Sequence, residues 1–225
     1  MKRIAVLQSN YIPWKGYFDL IDLCDEFVIL DAQYTVRDWR NRNLIKTPQG
    51  LQWLTVPVTG SGWVSEMETA DYRWARQHWN ALQANYGKAP FFKKYAPCLE
   101  DIYRDPSHAL GSINKELIDR ICAIFGITTP ITSSDNYPST AKKTQRLVDI
   151  CKQSGATHYL SGPKAKGYLE EGLFGEINVE WMEYSYLEYP QINGPFVHEV
   201  TILDLLFNCG PDLSLMRTNA DIRRR

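Results

Sequence analysis

Residues 3–31 read RIAVLQSNYIPWKGYFDLIDLCDEFVILD, and this stretch decides the fold. Its first five residues form an apolar run of strand length that ends in a polar, proline-containing loop. Residues 17–24 carry apolar side chains over a wide helical face, and residues 27–31 form a second apolar run. Continuous apolar runs of this length are typical of parallel strands that are buried on both faces. The stretch therefore predicts a strand, a loop, a helix and a second strand parallel to the first.

The alternation of strands and helices continues later in the chain, after a mainly helical stretch. Residues 72–125 show a helical pattern that is broken near Pro90 and Pro106. Further strands are predicted at 53–58, 131–134, 157–160 and 177–181, and further helices at 139–154 and 201–208. Alternating strands and helices are typical of an α/β protein with a parallel sheet. We therefore expect one Rossmann-like α/β domain over 1–213 with a mostly parallel sheet, a helical insertion at about 72–126, and a polar tail at 214–225.

Composition narrows the classes of partner. The formal net charge is −1, from 25 basic and 26 acidic residues, so nucleic acid is not a predicted partner. No apolar run approaches the roughly 20 residues that cross a bilayer, and the first residues lead into a strand rather than a signal peptide. These features predict no membrane span and a cytoplasmic location. The five cysteines include no CxxC pair, which indicates reduced thiols rather than disulfides or a zinc site.

Several familiar catalytic signatures are missing from the sequence. It contains no Walker A loop, no GxGxxG after the first strand, no HExxH and no GxSxG. The residues specify no cofactor, scattered aspartates define no Mg²⁺ site, and the oligomeric state is left open. What remains is four clusters of polar and aromatic residues at predicted strand ends, where parallel sheets bind their ligands.

The first cluster follows the first strand and consists of Gln8, Asn10, Tyr11, Trp14 and Lys15. As a binding loop, it would use Gln8 and Tyr11 for hydrogen bonds and Trp14 as a stacking face. The N-terminus of the following helix adds a partial positive charge for a phosphate. An ordinary loop with a packed tryptophan is the alternative.

The second cluster follows the second strand and consists of Asp31, Gln33, Arg37, Arg40, Asn41, Arg42 and Asn43. An arginine grips a carboxylate or phosphate through paired hydrogen bonds, and a nearby carboxylate can hold the arginine or bind a ribose hydroxyl. A solvated charged turn is the alternative.

The third cluster follows the strand predicted at 157–160 and includes Gly162, Lys164, Lys166 and Tyr168, with Thr144 to Arg146 nearby. Gly162 permits close approach of the backbone to a ligand, and a lysine there can meet an anion. A plain turn between a strand and a helix is the alternative.

The fourth cluster lies near the C-terminus and includes Tyr189, His198, Asp204 and Asn208. A histidine titrates near neutral pH, so His198 is a candidate general base that a carboxylate could orient. A histidine that is merely exposed in a loop is the alternative.

Five ordered blocks of the sequence resemble the motifs of the WbqC-like family. They are Gln8-x-x-Tyr11-x-Pro13-Trp14-x-Gly16-Tyr17-Phe18, Trp39-Arg40-Asn41-Arg42-Asn43-x-Ile45-Lys46, Tyr159-Leu160-Ser161-Gly162, Tyr189-Pro190-Gln191 and Asp204-Leu205-Leu206-Phe207-Asn208-x-Gly210. The resemblance spans nearly the whole chain. Members of this family are typically found with bacterial O-antigen and other surface-polysaccharide genes, which implies a role in making or decorating an activated sugar.

The opening unit is also similar to the start of HIGH-motif nucleotidyltransferases and pantothenate synthetase. Its helix entrance reads Trp14-Lys15-Gly16-Tyr17 and lacks the paired histidines of those enzymes. The contacts between histidine and triphosphate therefore do not carry over.

The leading hypothesis is a transferase that acts on a nucleotide-linked or amino sugar, by acyl or aminoacyl transfer. In that hypothesis the donor anion is held by Arg40, Arg42 and Lys15, and the substrates are oriented by Gln8, Tyr11 and Asp31. The predicted catalytic residues are Asp31 and His198, with His198 as the base. Two alternatives stay open: an ATP-using ligase or nucleotidyltransferase, and a non-catalytic module that binds a sugar or nucleotide.

Overall fold

The structure is a computed structural model that describes residues 1–36, 38–60 and 62–218. Arg37 of the second predicted cluster lies outside the described residues, as do residues 219–225 of the predicted tail. Within the described residues the strands are β1 Arg3–Leu7, β2 Glu26–Ile29, β3 Arg42–Thr47, β4 Gly50–Thr55, β5 Val58–Thr59, β6 Glu68–Thr69, β7 Ile131–Ser133, β8 His158–Ser161 and β9 Asn178–Trp181. The α-helices are α1 Lys15–Asp22, α2 Arg73–Tyr86, α3 Phe92–Tyr95, α4 Pro97–Arg104, α5 Leu110–Phe125, α6 Lys143–Gln153, α7 Ile202–Cys209 and α8 Leu213–Met216.

A five-stranded sheet in the order β7-β2-β1-β8-β9 forms the centre of the molecule. Every pair of neighbours in it is parallel. The chain runs from β1 outward through β2 to β7, and then returns to the other side of β1 to add β8 and β9. The predicted α/β fold with a mostly parallel, Rossmann-like sheet is confirmed.

The central strands are buried because helices pack on both faces of the sheet. Ala5 and Phe27 belong to the core that includes α1, whereas Ile4 and Val28 pack with residues of α6. All four side chains have no exposed surface. Successive side chains of a strand point to opposite faces, so a strand covered on both faces requires an unbroken apolar run.

Four helices, α2 to α5, lie between β6 and β7, within the range where the sequence predicts helices. They bury Trp74, Leu82, Leu99 and Leu117 in the same core as α1. No helix in the described part of the chain is both long and apolar enough to cross a membrane.

The structure differs from the sequence-based expectation at the antiparallel hairpin of β3 and β4. The sequence predicts one strand at 53–58, whereas the hairpin pairs Arg42 with Thr55 and turns between Thr47 and Gly50. β3 contains buried polar residues, including Asn43 and Lys46, so its sequence lacks the apolar pattern of a strand. Gly50 closes the turn with a φ of 114°, a conformation that a side chain would strain.

The start of the predicted polar tail packs against α1. Arg217 forms an ion pair with Asp22, with Nε 2.8 Å from Oδ2. The backbone N–H of Thr218 donates to Asp19 Oδ2 at 2.9 Å. Arg217 and Thr218 thus attach the start of this segment to the first helix.

Candidate functional site

A cleft of about 940 Å³ opens at the carboxyl-terminal edge of the central sheet. It is lined by the ends of β1, β2 and β8 and by the segment that follows β7. The strand order reverses between β1 and β8, and ligands of open parallel sheets bind at such a crevice. Small-molecule sites typically have volumes of about 300–1,000 Å³, so the cleft is large enough for a nucleotide or an activated sugar.

Of the predicted site residues, Gln8, Asp31, Gln33 and Tyr168 line this cleft, as do Thr144 and Arg146, which the sequence places near the third cluster. Gln8 follows β1, and Asp31 and Gln33 follow β2, as expected for side chains at adjacent strand ends. Gly162 comes directly after Ser161, the last residue of β8 and itself part of the lining. The cleft therefore brings together members of the first three predicted clusters.

Ser65 holds the carboxylate of Asp31. The backbone N–H of Ser65 donates to Asp31 Oδ1 at 3.1 Å, and its hydroxyl donates to Oδ2. The backbone N–H of Asp31 donates in turn to Ser134 Oγ at 3.2 Å. A carboxylate has about four lone-pair sites, so Asp31 keeps the capacity to accept hydrogen bonds or a proton from a ligand.

The basic part of the lining consists of Lys142, Lys143 and Arg146. Lys143 begins α6 with a φ of 53°, in the left-handed region. That conformation costs a residue with a side chain about 1–2 kcal/mol. The Arg146 guanidinium donates to the carbonyl oxygens of Ser139 and Ser134, which ties the preceding loop to the helix.

Two exposed aromatic side chains, Trp63 and Tyr168, also line the cleft. The backbone of Trp63 forms an antiparallel bridge with Gln33, and its N–H donates to Glu66 Oε2 at 3.0 Å. Aromatic faces bury much apolar area when a planar base or the C–H face of a sugar packs on them. The cleft thus combines a fixed carboxylate, basic groups and aromatic surface.

Tyr11 and Asn43 lie inside the protein instead of facing the cleft. Tyr11 has no exposed surface, and its hydroxyl is 2.8 Å from His78 Nδ1 and 3.1 Å from the hydroxyl of Tyr103. Asn43 Nδ2 donates to the carbonyl oxygens of Tyr11 and Ile12. Both side chains shape the loop that follows β1.

Lys15 is enclosed by aromatic rings, with only 2% of its surface exposed. Its Nζ lies 4.7 Å from the ring centroid of Tyr186, 4.9 Å from that of Tyr189 and 5.7 Å from that of Phe196. Burial lowers the pKa of Lys15 to about 8, against the raising effect of Asp204. A cation over aromatic faces is stabilised by their quadrupoles, which explains how the ammonium group tolerates this position.

His198 lies beside this group, with its ring 4.5 Å from that of Phe196. Its Nδ1 is buried and has no hydrogen-bond partner among the described residues. Burial and, next, the charge of Lys15 lower the pKa of His198. His198 is not one of the residues that line the cleft.

Asp204 is the centre of a buried hydrogen-bond network. Its carboxylate accepts hydrogen bonds from Tyr86 and Tyr189, both at 2.9 Å, and from Gln191 at 2.8 Å. Burial raises the pKa of Asp204, although these hydrogen bonds oppose the rise. Asn208, one turn further along α7, accepts a hydrogen bond from the backbone N–H of Ile192. The fourth predicted cluster thus comes together, but away from the cleft.

The remaining predicted residues surround the β3 hairpin and the loop after β1. Arg40 pairs with Asp38, and the guanidinium of Arg42 stacks 4.0 Å from the ring centroid of Trp53. Trp14 packs on Tyr184, with 4.9 Å between the ring centroids. Asn10 is half-buried in its loop.

Sequence reasoning missed Lys142, Lys143 and Trp63 as lining residues of the cleft. The sequence predicts a helix over 139–154, which would place both lysines inside it, whereas α6 begins only at Lys143. The sequence does contain a signal for this later start. Pro138 and the two consecutive lysines indicate a loop that leads into a helix with basic residues at its beginning. For Trp63, the signal was its position beside Gly62 in a short loop after a strand.

The described residues contain no group of three or more His, Cys, Asp and Glu side chains placed to hold a metal ion.

The model of the WbqC-like protein family matches residues 8–214. This chain belongs to the WbqC-like protein family. The resemblance noted in the sequence is therefore confirmed, and all of the cleft residues discussed above lie within the matched range. The chain is 48% identical over 221 residues to the uncharacterized protein Rv1507c of Mycobacterium tuberculosis (strain ATCC 25618 / H37Rv), with 94% of this chain and 96% of that protein covered. No solved structure matches the chain.

Proposed function

We propose that this protein is a transferase that moves an acyl or aminoacyl group to a nucleotide-linked or amino sugar, in bacterial surface-polysaccharide biosynthesis. The observation that carries the proposal is the cleft at the sheet edge, where the fixed carboxylate of Asp31 lies in the same lining as aromatic and basic side chains. Its volume suits an activated sugar. The family's general association with surface-polysaccharide genes supports the pathway.

In this reaction the amine or hydroxyl of the acceptor sugar attacks the acyl carbon of the donor. The bond from that carbon to the leaving group breaks, the leaving group keeps the electron pair, and the attacking atom loses a proton. Asp31 accepts that proton, with Ser65 fixing the carboxylate that receives it. Gln8 and Gln33 offer amide groups to the sugar hydroxyls. His198 lies outside the cleft lining, so the proposal assigns the proton to Asp31.

A thermal-shift screen tests the binding half of the proposal. Uridine and thymidine diphosphate sugars, with and without an amino group, are added to the purified protein. A ligand that binds the folded state raises its Tm, and a hundredfold excess over Kd contributes about 2.7 kcal/mol. The absence of a response to any of these sugars would contradict the proposal.

Asp31→Asn tests the chemical half. The amide keeps the size of the side chain but cannot take up the proton, so turnover is expected to fall by about 10²–10⁴-fold with little change in sugar binding. Asp135→Asn is the matched control, because Asp135 also lines the cleft but follows β7, and the proposal gives it no part in the proton transfer. Equal turnover in the two variants would remove Asp31 from the mechanism. A non-catalytic binding module would instead show sugar binding without turnover, even in the unaltered protein.

An ATP-using ligase or nucleotidyltransferase is the second candidate. The observation in its favour is that the opening strand–helix–strand unit, which resembles such enzymes in sequence order, brings both Gln8 and Asp31 into the cleft. Release of pyrophosphate from ATP, dependent on Mg²⁺ and a carboxylate substrate, would favour this reaction. Modification of a sugar without pyrophosphate release would favour the transferase.

A further inference from the structure

The charged side chains of the cleft are distributed unevenly. The acidic side chains come from four separate segments of the chain: Asp31, Glu66, Asp135 and Glu170. The basic side chains that line the cleft in the described part of the chain, by contrast, all belong to residues 142–146. One continuous stretch therefore provides the positive charge of the described lining.

Lys142 and Lys143 are available to a ligand. Both are exposed, and in the described part of the chain neither forms an ion pair. The three residues that the sequence predicts for the donor anion have other contacts: Arg40 pairs with Asp38, Arg42 stacks on Trp53, and Lys15 is enclosed by aromatic rings. Because lysine ammonium groups are compact charges with three donors each, adjacent lysines suit an anion with several oxygen atoms.

The backbone that carries the two lysines is fixed before any ligand binds. Arg146 donates to the carbonyl oxygen of Ser139, and the hydroxyl of Ser139 accepts a hydrogen bond from the N–H of Ala141 at 3.1 Å. Gln153, at the end of α6, donates to the carbonyl oxygen of Pro138 at 3.1 Å. A segment ordered in this way loses less conformational entropy when it binds.

We propose that Lys142 and Lys143 bind the diphosphate of a nucleotide-linked substrate in this cleft. The two ammonium groups contact the non-bridging oxygens and offset their negative charge. This assignment rests on the proposed function, which requires an activated sugar in the same cleft.

Inorganic pyrophosphate is the probe, because it carries the diphosphate without base or sugar. Its affinity is measured by calorimetry at low ionic strength for the unaltered protein, for Lys142→Gln/Lys143→Gln, and for Lys93→Gln/Lys94→Gln. The last variant is a matched control, since Lys93 and Lys94 are also adjacent and exposed but lie on α3, outside the cleft lining. We expect the first pair of substitutions to weaken binding at least about tenfold and the control pair less than about twofold, because only the first removes two charge-assisted contacts.

Equal affinities in the two double variants would overturn the assignment, as would an unaltered protein that does not bind pyrophosphate. Thermal unfolding of each variant verifies that it folds. A different result would contradict the proposed function. Pyrophosphate binding that depends on Lys142 and Lys143, with no response to any nucleotide sugar, would contradict the transferase but not the diphosphate site. Nucleotide-sugar turnover with an unchanged KM in Lys142→Gln/Lys143→Gln would contradict the diphosphate site alone.

Discussion

Asn43 stabilises Ile12 in a left-handed backbone conformation. Asn43 Nδ2 lies 2.9 Å from the carbonyl oxygen of Ile12, whose φ is 36°. A β-branched residue rarely adopts this conformation, which costs about 1–3 kcal/mol unless its surroundings impose it. The same amide donates to the carbonyl oxygen of Tyr11 at 3.1 Å. The hairpin thereby fixes the loop that starts with Gln8 at the cleft.

Asn43→Ala is expected to destabilise the protein by about 2–4 kcal/mol, because two buried carbonyl oxygens lose their donor. The measurement is the free energy of unfolding in urea. Asn136→Ala is the control, since Asn136 is exposed, and it should change that free energy by less than about 0.5 kcal/mol. A similar small change in both variants would show that the amide is not needed to fix the loop.

His78 is expected to make stability depend on pH. Burial lowers its pKa from 6.5 to about 4. The unfolded chain therefore takes up a proton near pH 6.5, whereas the folded protein does so only near pH 4. The stability that the neutral ring provides is complete above pH 6.5 and is lost as the pH falls toward 4, by about 3 kcal/mol in all.

The variant His78→Gln tests this prediction, because glutamine is polar but does not titrate. Urea unfolding between pH 4.5 and 7 should show a smaller loss of stability at low pH in the variant than in the unaltered protein. Identical pH profiles would mean that other groups cause the loss.

At Lys143 the residue that suits the backbone is expected to differ from the residue that suits binding. The positive φ favours glycine for stability, whereas pyrophosphate binding requires the lysine charge. Glycine adopts a positive φ freely, so Lys143→Gly should be more stable than Lys143→Ala by about 1 kcal/mol. At Lys142, where φ is −125°, the same comparison should favour alanine. Both Lys143 variants should bind pyrophosphate equally weakly, because both remove the charge. Thermal unfolding and calorimetry measure the two effects, and an alanine variant as stable as the glycine variant would contradict the conformational explanation.

Tyr86→Phe is expected to cost about 2–3 kcal/mol, because it affects two buried partners at once. The hydroxyl of Tyr86 donates to Asp204 Oδ2 at 2.9 Å and accepts a hydrogen bond from the backbone N–H of Lys46 at 3.0 Å. The control is Tyr168→Phe, since Tyr168 is 73% exposed. Urea unfolding compares them, and a loss below about 0.5 kcal/mol in Tyr86→Phe would show that water or a neighbour replaces the hydroxyl.

The fold was predictable because its strands are simple in sequence. Parallel strands that are covered on both faces need unbroken apolar runs. The apolar runs that end at Leu7 and Leu30 have this pattern, so they predict buried parallel strands. Strand β3 was not predictable in this way. Its polar residues are stabilised by distant partners: Lys46 donates to Gln191 Oε1 at 2.6 Å, and Asn43 to the loop after β1.

The candidate site was predictable only in part. Gln8, Asp31 and Gln33 follow from the rule that ligands bind at the carboxyl ends of parallel strands. Lys15, Asp204 and Tyr189 have the same polar or aromatic character in sequence, yet they form an internal network. A buried polar group needs a partner whether that partner is a ligand or another side chain, so its residue type does not distinguish the two cases.

The sequence by itself determined the parallel sheet, the family and the strand ends at which Gln8 and Asp31 lie, since local apolar runs and ordered motifs encode these features. Only the tertiary structure decided that Ser65, Trp63, Lys142 and Lys143 join them, and that His198 does not. The physical reason is that a cleft is formed by segments far apart in the chain. Packing of those segments determines which side chains face it.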